Sequence, residues 1–198
     1  MQRTHKALLV VAVAAALALS LAGCLENTPI SKPTATNSQT PSASPTPTPS
    51  PTPTESSDPP VTQSCAQIFT AQQVYNYNPN VVANTTYTPA SGSFAAQAAS
   101  ENGQTCGWIN ETSNVQLDIA VSEPNATELA AAKASASANG GLTTFDASAM
   151  QNFQTQNGSG VMQVFIGSYW VIISSADFTT ASDAQPVAQT VLTNLGVV

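Results

Sequence analysis

Val161-Met162-Gln163-Val164-Phe165-Ile166-Gly167-Ser168-Tyr169-Trp170-Val171-Ile172-Ile173-Ser174 decides the fold: an apolar run broken once, at Gly167-Ser168. Two runs of β-branched and aromatic residues around a two-residue, glycine-led break predict a tight antiparallel hairpin. Val171-Ile172-Ile173 is apolar at consecutive positions. A strand with both faces apolar is buried on both, so this one belongs in the centre of its sheet.

Upstream, Val115, Leu117, Ile119 and Val121 alternate with Gln116, Asp118, Ala120 and Ser122. That period of two marks a half-buried strand, and Cys106 to Asn110 supplies its partner across a turn at 111–114. Helical signals fill the spaces between. Residues 65–77 read as one helix in which Thr70 caps the regular part, ended by Asn78-Pro79. Pro124-Asn125 opens an alanine-rich helix that Gly140-Gly141 stops. In the last helix Asp183 or a neighbour is the cap, Val187, Val191, Leu192 and Leu195 form the stripe, and Gly196 is the stop. Residues 80–104 read as loop with a short helix over 94–99. Residues 142–158 are ambiguous, compatible with a short helix over 147–154. The expectation is an α+β domain in the order α-ββ-α-ββ-α, an antiparallel sheet of about four strands in two hairpins with helices on one face. Strand-strand-helix occurs twice, without enough residue identity to claim a duplication.

The N-terminus carries an address. Arg3 and Lys6 precede an apolar stretch from Ala7 to Ser20, and Leu21-Ala22-Gly23-Cys24 closes it. The apolar run is shorter than the roughly 20 residues a spanning helix needs, and it ends on small residues. It resembles the bacterial lipobox, in which the cysteine is lipidated and the chain is cut before it. Residues 1–23 are therefore expected to be a signal peptide, and Cys24 a lipid anchor on the extracytoplasmic face of the cell membrane. Residues 24–60 follow as a linker in which Pro45, Pro47, Pro49, Pro51 and Pro53 alternate with Thr and Ser. Such composition favours an unpacked, extended spacer at about 3.1 Å per residue, with a reach on the order of 100 Å. Residues 61–198 form the exported domain. Four Asn-x-Ser/Thr tripeptides, among them Asn157-Gly158-Ser159, read as chance in an Asn/Thr-rich chain.

Charge excludes several functions. Beyond residue 60 there is no histidine and no arginine, and eight acids face Lys133 alone. Nucleic-acid binding lacks its basic footprint. Triads of the Ser-His-Asp or Cys-His kind lack their base, and zinc sites lack histidine. No phosphate loop is present. No catalytic residue, cofactor or metal is expected. Cys65 and Cys106, the pair left once Cys24 is lipidated, are expected to form a disulfide in an oxidising compartment, with Trp108 packed on the same strand face.

Cys65, the Cys106-Gly107-Trp108 strand and the element order resemble actinobacterial cell-envelope lipoproteins of unknown function. The domain is similar, more distantly, to the extracellular sensor domains of mycobacterial Ser/Thr kinases. The resemblance implies a Cys65–Cys106 bridge, Trp108 in the core and a cell-envelope location. It supplies no catalytic residue. The expected function is a tethered binding or sensing module whose partner is a cell-wall glycan, a peptide or another envelope protein. Tyr75, Tyr77 and Tyr87 are the candidate contacts; the plainer reading places Tyr75 in the core. The alternative is a carboxylate-dependent hydrolase of wall polysaccharide using Asp118 and Glu123, although Asp118 is expected to face solvent. Calcium binding by clustered acids is a third reading, without a D-x-D-x-D-G loop to support it.

Overall fold

The two hairpins recruit three further strands. The computed structural model describes residues 57–198. In chain order its elements are α1 (Cys65–Ile68), α2 (Ala71–Tyr77), β1 (Val81–Ala83), α3 (Phe94–Ser100), β2 (Gln104–Asn110) and β3 (Gln116–Ser122). They continue with α4 (Ala126–Ala138), β4 (Thr143–Thr144), β5 (Ala149–Gln156), β6 (Ser159–Ile166), β7 (Tyr169–Ser175) and α5 (Ala181–Leu195). All pairings are antiparallel, and the sheet has seven strands, not about four, in the order β1-β2-β3-β7-β6-β5-β4. The strand β7 occupies its centre, as its consecutive apolar residues require.

Residues 149–156 are a strand and not a helix. They pair along their whole length with β6. Asn157 and Gly158 make the turn, with φ of 52° and 83°. Two successive positive φ values define the mirror-image turn that matches strand twist, and Asn-Gly is its preferred sequence. The segment hides its nature because its buried positions include Gln151 and Asn152. The Asn152 amide donates to the carbonyls of Ala136, Asn139 and Gly141 at 2.8–3.0 Å, closing the end of α4, while Gln163 Nε2 donates to Asn152 Oδ1.

Helices cover both faces of the sheet, not one. Alternate positions of β3, β6 and β7, namely Ile119, Met162, Val164, Val171 and Ile173, share a core with α1, α2 and α5. The intervening Ala120, Phe165, Trp170 and Ile172 pack against Ala95 and Ala98 of α3 and Leu129, Ala132 and Ala136 of α4. Alanine lets those two helices approach the large rings of Phe165 and Trp170, which lie stacked 6.1 Å apart. Lys133, the sole cation among the described residues, sits 6.0 Å from the Phe165 ring centroid.

The first expected helix is two. Ser64-x-x-Gln67 and Thr70-x-x-Gln73 are tandem capping boxes. Gln67 Oε1 accepts from Ser64 N at 2.9 Å, and Gln73 Oε1 accepts from Thr70 N at 2.9 Å. Each box starts a helix, so the chain breaks at Phe69, whose backbone is extended. Cys65 and Cys106 are disulfide-bonded, with Cα atoms 5.5 Å apart and a sequence separation of 41. The bridge ties α1 to β2, beside the edge-to-face contact of Phe69 and Trp108 at 5.6 Å.

Asp58, on the linker side of the expected boundary at 61, is buried. Its carbonyl accepts from Asn102 Nδ2, and its carboxylate accepts from the backbone N–H and side-chain amide of Asn125. The signal peptide at 1–23, Cys24 and the linker through residue 56 lie outside the described residues.

Candidate functional site

An apolar groove of about 500 Å³ opens between α2 and β1. Its position follows from a short run of sequence. Asn78-Pro79 ends α2, and Asn80 N donates to Asn78 Oδ1, turning the chain straight into β1. Val74 and Val81 then point inward, while Tyr75 and Val82, one residue further on each, are left at the surface, 62% and 38% exposed. A step of one residue turns a helical side chain by about 100° and flips a strand side chain to the other face. Phe69 and Trp108 also line the groove, each almost wholly buried.

A second recess of about 310 Å³ shares Cys65, Ala83 and Trp108 with the first and extends it to Tyr87 and Thr105. β1 pairs only with Trp108, Ile109 and Asn110, so the earlier part of β2, Gln104–Cys106, has no strand on its outer side. The two recesses form one trough along this sheet edge, and no charged side chain lines either of them. Gly107 shapes the trough: a Cβ there would strike the Tyr87 ring and the Gln116 amide. Tyr87 thus packs on the bare backbone of Gly107, from the face of β2 opposite to Cys106 and Trp108.

The three candidate tyrosines do not form one patch. Tyr75 is at the surface, contrary to the plainer reading that buries it. Tyr77 makes an edge contact with Phe69 at 6.4 Å and lines a separate hollow against α5 with Pro186 and Val187. Tyr87 is half-buried, and desolvation together with the neighbouring Asp118 charge holds its phenol far above the ordinary range. Val82, Phe69 and Trp108 complete the trough; Trp108 was signalled by its spacing from Cys106, whereas for Phe69 and Val82 the only sequence signals are the tandem capping boxes and the Asn-Pro stop that set α2 against β1.

Asp118 does not face solvent. It lies half-buried on the α3 side of the sheet, where Ser174 Oγ donates to Oδ2 at 3.4 Å, and burial pushes its carboxyl pKa up. It is the single acid lining a cavity of about 90 Å³ beside Ser93 and Asn157. Glu123 accepts from Ser168 Oγ at the β6–β7 turn, five residues along the extended chain. Five extended residues span about 17 Å, whereas paired glycosidase carboxyls stand about 5–10 Å apart. The structure does not bring these two acids together.

A different set of acids meets where the linker enters. Glu101 is 4% exposed and accepts from Gln97 Nε2 and Ser122 Oγ, each at 3.0 Å. Burial raises its pKa, the Gln97 and Ser122 bonds oppose the rise, and the Asp58 charge adds to it. Glu128 is raised first by its hydrogen bond with Asp58. Among the described residues no group of three or more His, Cys, Asp or Glu is arranged to hold a metal ion, and no helix is long and apolar enough to cross a membrane. No family model, curated protein or solved structure matches this chain.

Proposed function

We propose that this protein is a binding module of the cell envelope, held by acylated Cys24 on the extracytoplasmic face of the membrane and raised from it by the Pro/Thr/Ser linker. The trough beside β1 is its contact surface. The carrying observation is the pairing of an exposed Tyr75 with a floor of buried aromatics, Phe69 and Trp108, in a recess free of charge. Concave, mostly apolar sites with a few aromatic walls are where small ligands and peptides bind. A tyrosine rim suits both a sugar ring and an extended peptide. The resemblance to actinobacterial lipoproteins and kinase sensor domains agrees with this reading, as does the lipobox.

The test is thermal unfolding of the full chain in detergent against envelope glycans and peptides. A ligand at 100 times its Kd stabilises by about 2.7 kcal/mol, which for roughly 140 residues raises Tm by about 9 °C. The rise should vanish in Tyr75→Ala/Ala83→Asp, since Ala83 pairs with Trp108 and lines both recesses. A ligand whose effect survives that double substitution binds elsewhere and refutes the assignment.

A further inference from the structure

We propose that the cavity at Asp118 is a receptor for a primary ammonium group on an alkyl stem, such as a lysine side chain carries. It is separate from the trough. Asp118 pairs with Gly107 of β2 on one side and with Ser174 of β7 on the other. It shares the sheet face of Ala120 and Ile172, against which α3 packs, whereas Cys106 and Trp108 point to the opposite face. The alternation of β3 thus sets an acid into a helix-covered face, in line with the fully buried Ala120 and Ser122.

The protein answers this carboxyl incompletely. Ser174 Oγ donates to Oδ2 at a long 3.4 Å. The Tyr87 hydroxyl and the Gln116 amide lean on the same group and offset part of the rise that burial imposes on its pKa. Even so, Asp118 Oδ1 and Gln116 Nε2 are both buried, and neither completes a hydrogen bond. A buried acceptor without a donor costs the full desolvation of the group, and more when it is charged. A cation would supply what is missing. Lys133, the sole cation among the described residues, lies instead by Phe165. Phe165 is four residues along β6 from Val161, the partner of Ser174 in register, and so about 13 Å away.

The cavity selects the kind of cation. Its volume of about 90 Å³ has room for a few water molecules, which suits a small head group and not a sugar ring. Val161 and Ile172 line it as apolar walls, Ser93, Asn157 and Ser159 bring hydroxyl and amide oxygens, and Phe94 brings a ring. A carboxylate, neutral oxygen acceptors and an aromatic ring are the groups that an ammonium satisfies. An anion would meet Asp118 and no cationic side chain. A guanidinium needs both carboxylate oxygens for its fork, and Oδ2 is already engaged by Ser174; the compact ammonium needs one. Ala90 is exposed on the rim, so a ligand stem leaves past it to solvent.

Amide chemical shifts of the isotopically labelled full chain in detergent, titrated with n-butylammonium chloride at about pH 7, test the inference; the amine is fully charged there. Titrations with n-butanol and with sodium chloride control for the stem and for salt. The expected result is saturable shifts at Phe94, Asn157, Ser159 and Ser174 with the ammonium alone. Asp118→Asn should weaken the apparent Kd at least about tenfold. Ala90→Leu, which narrows the rim and leaves the carboxyl in place, should do the same. A parallel titration with glycinamide separates the sources: saturation there too extends the site to chain N-termini, and its absence confines it to lysine-like stems. Equal shifts with n-butanol overturn the inference, because the cavity then reads only the apolar stem. Equal shifts with sodium chloride overturn it as screening. Binding that survives both substitutions, or no saturation by about 0.1 M n-butylammonium, also overturns it.

Discussion

Removing the Cys65–Cys106 bridge should destabilise the domain by about 4 kcal/mol. The closed loop spans 41 residues. On the chain-entropy account, the cross-link withholds about 13 cal/mol/K from the unfolded chain, or about 4 kcal/mol at 25 °C. For roughly 140 residues the unfolding entropy is about 0.3 kcal/mol/K, so Tm should fall by about 13 °C. The perturbation is Cys65→Ala/Cys106→Ala, followed by urea titration and thermal scans with fluorescence and near-ultraviolet circular dichroism. Oxidised wild type, reduced wild type and the double variant form the comparison. The reduced protein and the double variant should coincide to within about 1 kcal/mol, because Cys65 is only part-buried and the lost Sγ contacts are few. A loss under about 1 kcal/mol would refute the reasoning: the unfolded chain would then already be held compact in that loop, or α1 would dock on β2 unaided. A loss in the double variant well beyond that of simple reduction would point instead to a packing defect at Cys106.

Three further outcomes follow from single positions. Asn152→Ala strips three carbonyls at the end of α4 and the Gln163 amide of their partner, and should cost about 2–4 kcal/mol in urea unfolding. A cost under about 0.5 kcal/mol would mean that water replaces the amide. Glu101 titrates above the usual 4.5 because it is buried. The folded state therefore keeps a proton that the unfolded state has lost, and stability falls as pH rises from about 4.5 through the folded pKa. Glu101→Gln should raise Tm at pH 7 and leave it unchanged at pH 4; an equal effect at both would remove the carboxylate from the explanation. Cys24→Ser should leave the protein uncleaved or shed from membranes, and unaltered membrane fractionation would end the lipoprotein reading.

What was legible in the sequence was whatever wrote itself in apolar periodicity. The β6–β7 hairpin, the alternation of β3 and the stripe of α5 depend on valine, isoleucine and leucine at fixed spacing. β5 escaped because two amides, Gln151 and Asn152, fill buried positions there, Asn152 fully hydrogen-bonded, and a hydropathy pattern cannot distinguish a buried amide from a surface one. Its one clear mark was Asn157-Gly158, a turn signal lying inside a glycosylation tripeptide. The second helical layer was hidden because α3 and α4 bury alanine, which carries little periodic signal. β1 is three residues long, too short to show a period at all. The trough draws on α1, α2, β1 and β2, so only the assembled fold brings Tyr75, Val82 and Trp108 to one place.

The most direct measurement is an amide chemical-shift map of the isotopically labelled full chain, titrated with the first uncharged compound that raises its Tm. Perturbations concentrated on Tyr75, Val82, Ala83 and Trp108 are the predicted result. Perturbations centred on Asp118 and Ser174, or on the α2–α5 hollow at Tyr77 and Pro186, would contradict the trough as the binding surface.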